Sequence, residues 1–242
     1  MMTIRFNFLL LFAFSLSFFS CADCIDGSGS NTEERRSVEE YDVIYVDCEL
    51  NVLLRQAGLT DQNKIVVRAQ ENLLPFIKTD VSGDRLTIEL SECIRPTEEI
   101  QVEIVTNGIV KFVHNGSGNV ETLGSIKSDD FKLVLNGSGD LSFKIKTDDL
   151  EVQSSGSGDI MLSGEANDLE VDADGSGDVN ALGLKANAVN GANGGWTQNY
   201  VNNKMYNFNS FKGNANPYSC GNGLDLAKNQ LTNNPFAHSL SQ

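Results

Sequence analysis

Residues 133–143 read LVLNGSGDLSF, two short apolar runs joined by the corner Gly137-Ser138-Gly139-Asp140. The same corner returns as HNGSGNV from His114, SSGSGDI from Ser154 and ADGSGDV from Ala173. The first glycines, Gly116, Gly137, Gly156 and Gly175, are spaced 21, 19 and 19 residues apart. The second glycines are Gly118, Gly139, Gly158 and Gly177. A fixed corner at a near-constant period marks a repeat architecture. A unit of about 20 residues with two short strands cannot bury a face alone, so neighbouring units must stack to make a core. Glycine carries no Cβ and adopts positive φ at little cost, which suits it to a sharp corner. The expected fold is therefore all-β, a right-handed parallel β-helix or β-solenoid with about 19–21 residues per coil.

Outward from the corners, residues 41–112 alternate in the same way. Val46, Cys48, Leu50, Val52 and Leu54 fall on every second residue, as do Leu86, Ile88 and Leu90 and then Ile100, Val102 and Ile104. Period-two alternation predicts half-buried strands. VSGDRL at 81–86 predicts a tight turn between two of them. Residues 41–186 form the expected domain. Residues 21–40 are polar and charged and read as a lipidated tether. Residues 187–242 hold fourteen asparagines and a single acidic residue, Asp225, and lose the corner. They read as an atypical cap or a disordered tail.

Residues 1–20 read as a signal peptide: Arg5, then an apolar run too short to span a bilayer, then Ser20 before Cys21. Phe18-Phe19-Ser20-Cys21 is similar to a bacterial lipobox, which makes Cys21 the expected lipidation site. The expected location is the cell envelope, lipid-anchored to the outer membrane, with the membrane met through the lipid alone. In that oxidising compartment Cys24, Cys48, Cys93 and Cys220 allow three disulfide pairings. Cys48 and Cys93 lie in strand-like runs and equally suit buried, unpaired sites.

Net charge is -15, from 18 basic and 33 acidic side chains. That balance argues against nucleic acid, whose phosphates need a basic surface. The position after each corner carries Asn119, Asp140, Asp159 and Asp178. Stacked coils would align them as a ladder. Carboxylates about 4.8 Å apart repel by roughly 3.5 kcal/mol at an effective dielectric of 20, so a half-buried ladder would want a cation. Calcium is the metal such oxygens would hold. The alternative, with no cofactor, has each side chain capping its own turn amides. The two histidines, His114 and His238, form no triad or zinc motif, and Asp148-Asp149 is the carboxylate pair available to a glycosidase-like reaction. Most such pairs are solvated surface, so the chain reads as a non-enzyme.

RSVEEYDVIYVDCELNVLL (36–54), ENLLPFIKTDVSGDRLTI (71–88) and the repeated NGSGN/D corners resemble the bacterial auto-transporter adhesin, head GIN domain family, over about residues 25–186. The resemblance implies a secreted or lipid-anchored envelope protein with a right-handed β-helix-like fold, adhesion as its activity, and no catalytic residues. The chain departs from the family after Ala186, where an uncapped end would favour homo-oligomers through solenoid edges. The functional expectation is a binding module that presents its surface to a glycan or to an envelope or host protein. The alternatives are a carbohydrate-active β-helix enzyme and an envelope-stress sensor or structural accessory.

Overall fold

The computed structural model describes residues 24–58, 61–193, 199–201 and 204–206. The expected signal peptide, Cys21 and Cys220 lie outside them. In chain order, β1 (Ile25–Asp26) and β2 (Asn31–Ser37) precede β3 (Val43–Val46), β4 (Asn51–Gln56) and β5 (Lys64–Gln70). A short 3-10 turn (Leu74–Phe76) leads to β6 (Ile77–Ser82), β7 (Arg85–Leu90), β8 (Ile94–Arg95) and β9 (Gln101–Thr106). Then come β10 (Lys111–His114), β11 (Val120–Thr122), β12 (Ile126–Lys127) and β13 (Asp130–Leu135). Three long strands follow, β14 (Leu141–Ser154), β15 (Ile160–Ala173) and β16 (Val179–Asn193), and then short β17 (Asn199–Val201) and β18 (Lys204–Tyr206).

The expectation of a right-handed parallel β-helix is corrected. The chain is all-β, but its described strands, apart from β1 and β8, form one mixed sheet curled into a half-barrel. Antiparallel ladders join β2 to β5, β5 to β9, β6 to β7 and β17 to β18. Parallel ladders join the rest, and between residues 111 and 193 they step by about one repeat: Lys111 faces Lys132, Leu141 faces Ile160 and Ile160 faces Val179. The N-terminal half breaks that step. Lys111 on β10 also faces Val43 on β3, and Val120 on β11 faces Val52 on β4. The physical reason the sequence misled is that period-two alternation reports a half-buried strand whatever the direction of its partner. The tight turn expected at 81–86 is the β6–β7 hairpin, with Gly83 at φ 64°.

Curling follows from breaks in that alternation. In β14, Leu141, Phe143, Ile145 and Thr147 are buried, then Asp148 and Asp149 are both exposed, then Leu150, Val152 and Ser154 are buried. Two outward residues in succession bend the strand, so both halves face the same interior. The Thr147 hydroxyl holds the bend by donating to the Asp129 carbonyl at 2.7 Å. Within the curl a single apolar cluster runs from Tyr41 to Val189, with Phe112 packed edge-on against Phe143. The ends of the strand path, β2 and β6, are laced by Arg36, which donates to the Ile77 carbonyl at 2.6 Å, the Leu74 carbonyl and the Thr79 hydroxyl.

Residues 24–40, expected as a tether, are part of the fold. β1 pairs with β8 in a separate two-stranded parallel sheet. Cys24 is bonded to Cys93, and Arg95 is paired with Asp26. Cys93 is therefore a cross-link, whereas Cys48 is a buried free thiol that burial pushes up to about 11. β16 runs on to Asn193, beyond the expected domain end at 186.

Candidate binding surface

The four Gly-Ser-Gly corners stack directly on one another. Ser138 donates its amide to the Gly116 carbonyl, Ser157 to that of Gly137, and Ser176 to that of Gly156, at 2.9–3.0 Å. The corner glycines Gly116, Gly118, Gly137, Gly139, Gly156, Gly158, Gly175 and Gly177 do not hold positive φ, which among the described residues is confined to Gly29, Gly83, Gly124 and Gly164. Close approach explains them instead. A Cβ on Gly137 would fall inside the Gly116 carbonyl oxygen and lie 2.9 Å from the carbonyl carbons of Asn115 and Gly116. Each later corner meets the one before it in the same way. Gly116 and Gly118 meet the carbonyls of Cys48 and Leu50, so Cys48-Glu49-Leu50 is the first corner of the stack. The absence of glycine there hid it from a motif search.

The ladder expected at Asn119, Asp140, Asp159 and Asp178 exists, with Asn51 as an additional first rung. Each side-chain oxygen accepts the backbone amide of the equivalent residue one unit on. Asn119 donates to Asn51 Oδ1, Asp140 to Asn119 Oδ1, Asp159 to Asp140 Oδ1 and Asp178 to Asp159 Oδ1, at 2.8–3.0 Å. The side chains therefore cap the neighbouring corner rather than their own. Among the described residues no group of three or more His, Cys, Asp or Glu is placed to hold a metal. A second ladder runs along the other shoulder: Asn115 donates to Asp47, Asn136 to Asn115 at 2.8 Å, and the Ser155 hydroxyl to Asn136 at 2.9 Å. His114 lies under these corners, fully buried, with Nε2 at 2.7 Å from the Gly118 carbonyl. Burial holds its pKa below the ordinary 6.5.

At the bend between the two halves of each long strand lies an open groove of about 520 Å³. One wall is the row Lys127, Lys146, Glu165 and Lys185, neighbours in register on β12, β14, β15 and β16. Lys146 pairs with Glu165 at 2.9 Å, which raises the lysine's pKa and lowers the glutamate's. The other wall is polar. Asp148 accepts from Asn167 at 2.6 Å, and Asn167 accepts from Asn187 at 3.1 Å. Rows at strand spacing, about 4.8 Å apart, present the same chemistry repeatedly along one line. Sequence reasoning named Asp148 but missed the groove, because Lys146 and Asp148 flank a single buried residue, Thr147, and only the bend sets them on opposite walls.

A family model described as "Putative auto-transporter adhesin, head GIN domain" matches residues 40–214. The chain belongs to that family. Solved structures share the fold at low identity. A structure from Bacteroides fragilis, described as a "putative adhesin", is 22% identical with a TM-score of 0.66, covering 73% of this chain and 80% of its own. A second from Parabacteroides distasonis is 20% identical with a TM-score of 0.58, covering 74% and 85%. A third, also from Parabacteroides distasonis and described as a "Putative lipid binding protein", is 20% identical with a TM-score of 0.61, covering 74% and 85%. No match is found among curated proteins.

Proposed function

We propose that this protein is a non-catalytic adhesin-type module of the cell envelope, anchored by lipid at Cys21, that binds a glycan or protein partner along the groove. The observation that carries the reading is the groove itself, whose walls repeat at strand spacing and are braced by hydrogen-bonded side chains. Such a surface suits an extended ligand contacted at several equivalent points. Its rigidity limits the ordering cost of binding. Membership of an adhesin-head family and the apolar segment before Cys21 support the cell-surface setting.

The test compares cells displaying the wild-type chain with cells displaying Lys127→Ala, Lys146→Ala and Lys185→Ala together. Attachment to glycan-coated and envelope-protein-coated surfaces is the readout. Loss of attachment at equal surface display supports the reading, and unchanged attachment rejects the groove as the contact. Metabolic labelling with a tritiated fatty acid, lost in Cys21→Ser, tests the anchor separately.

A further inference from the structure

A second cluster lies on the outer face of the sheet, away from the groove. On β3, Ile44 and Val46 point into the core and Tyr45 points out. Val43, two residues before Tyr45, faces Arg85 on one side and Lys111 on the other. Both long side chains turn onto the Tyr45 ring. The Arg85 guanidinium carbon lies 5.1 Å from the ring centroid and the Lys111 Nζ 5.9 Å. Tyr45 continues a row through Val113 and Val134, which are on the outward phase yet only 4% and 9% exposed. The cluster is thus a packed platform and not a set of loose surface side chains.

Its arginine differs from the others among the described residues, all of which are paired with a carboxylate. In a chain of net charge -15, Arg35, Arg36, Arg55, Arg68, Arg95, Lys132 and Lys146 each pair with a carboxylate. Among the described residues, Arg85 and Lys111 are in no ion pair; the tyrosine ring holds them instead. An aromatic ring attracts a cation without using its N–H donors. Those donors are left for a ligand, in side chains already positioned, which reduces the entropy lost on binding.

We propose that Tyr45, Arg85 and Lys111 form a binding site for a carboxylated polysaccharide. The guanidinium fork takes a carboxylate with two parallel hydrogen bonds, and the lysine takes the next as a point charge. Arg85 and Lys111 lie on strands two spacings apart, roughly 10 Å. That separation suits carboxylates two sugars apart along a polymer better than one small anion. The face is not uniformly basic: Lys132, next to Lys111, is neutralised by Glu151 at 2.7 Å. Point contacts to a chain fit that pattern, whereas a broad anionic surface such as a membrane would meet Glu151 as well.

The site does not depend on the groove, and the experiment separates them. Binding of the full chain to polygalacturonate is measured calorimetrically at low salt, with neutral dextran and phosphatidylglycerol vesicles as comparisons. The wild type should bind polygalacturonate and neither comparison, with affinity falling as salt screens the contact. Arg85→Ala with Lys111→Ala should weaken binding about tenfold, the loss of one charge-assisted contact or more. Glu151→Gln, which frees Lys132, should strengthen it. Arg35→Ala, an exposed cation on β2 outside both the groove and this cluster, should leave it unchanged. Absence of wild-type binding, equal binding to dextran, preferential binding to vesicles, or wild-type affinity in the Arg85/Lys111 variant would overturn the proposal. Should that variant fail to fold, Glu151→Gln decides, and no gain in affinity counts against the site.

Discussion

Replacing Gly137 with alanine isolates what the corner glycines do. The new Cβ meets the Gly116 carbonyl, backbone that cannot swing aside as a side chain would. The two corners must part by roughly an ångström to restore ordinary contact. That displacement stretches the Ser138 amide bond to Gly116, the Asp140 amide bond to Asn119 and the Asn136 bond to Asn115, now 3.0, 3.0 and 2.8 Å. Overpacking costs about 1–3 kcal/mol, and each weakened hydrogen bond adds up to about 1 kcal/mol. The expected loss is about 2–4 kcal/mol, read as a lower denaturation midpoint at unchanged slope. Two further variants separate space from backbone conformation. Gly83→Ala has open space but positive φ, so strain alone should cost about 1 kcal/mol. Gly108→Ala has open space and no positive φ, so it should be neutral or stabilise by up to about 1 kcal/mol. The stacking account fails if Gly137→Ala unfolds within 0.5 kcal/mol (roughly the surface-substitution range) of the wild type, or if Gly108→Ala is as damaging.

Protonation of buried His114 should destabilise the corners. Its folded pKa is below the ordinary 6.5, so the unfolded chain binds the proton more tightly. Stability should be level above about pH 7 and fall as pH drops below 6.5 toward the folded value, and His114→Gln should flatten melting temperature across that window. Arg36→Ala should cost about 2–3 kcal/mol by leaving the Ile77 and Leu74 carbonyls without their charged donor at the lacing of β2 to β6; Arg36→Lys should recover only part of it, because one ammonium cannot reproduce the fork. Reducing Cys24–Cys93, which closes a separation of 69 residues, should lower stability by about 3–4 kcal/mol and expose residues 24–30 to proteolysis before the remaining strands.

The residues that define the inside of this molecule were legible because their signal is local. Alternation placed Val46, Val52, Ile88, Val102 and Ile104 in strands, and all are buried. The ladder of Asn119, Asp140, Asp159 and Asp178 followed from the fixed corner. Strand direction and partner choice were not legible, because they depend on residues far apart in the chain. Nothing local tells Val67 on β5 that it faces Val102 antiparallel while Val52 faces Val102 in parallel. The first rung of the ladder escaped for a related reason. Asn51 does the work of Asn119 but follows Cys-Glu-Leu, since the corner that starts a stack does not have to fit over an earlier Gly-Ser-Gly. The tether was misjudged because charge was read as exposure. NTEERRS in β2 is an edge strand whose charges suit an outer position and discourage further pairing.

The division of labour within each unit bears on how such a surface acquires a ligand. Inward residues and the two corner glycines answer to neighbours above and below, so substitution there disturbs every later unit. Outward residues answer only to the residue one rung away. Lys132 with Glu151 and Lys146 with Glu165 are such pairs, each spanning 19 residues and each confined to one face. Exchanging the partners of an exposed pair changes stability little but moves a positive charge by one strand spacing. A charged ligand reads that move directly, because two unit charges 4 Å apart interact by about 4 kcal/mol at a protein surface and the interaction falls with distance. Recognition can therefore vary in steps of about 4.8 Å without refolding the sheet. The cluster at Tyr45 departs from that scheme. Its cations are fixed by an aromatic ring in place of a carboxylate, so losing Tyr45 should release both at once, with binding lost and the core beneath, at Ile44 and Val46, left intact.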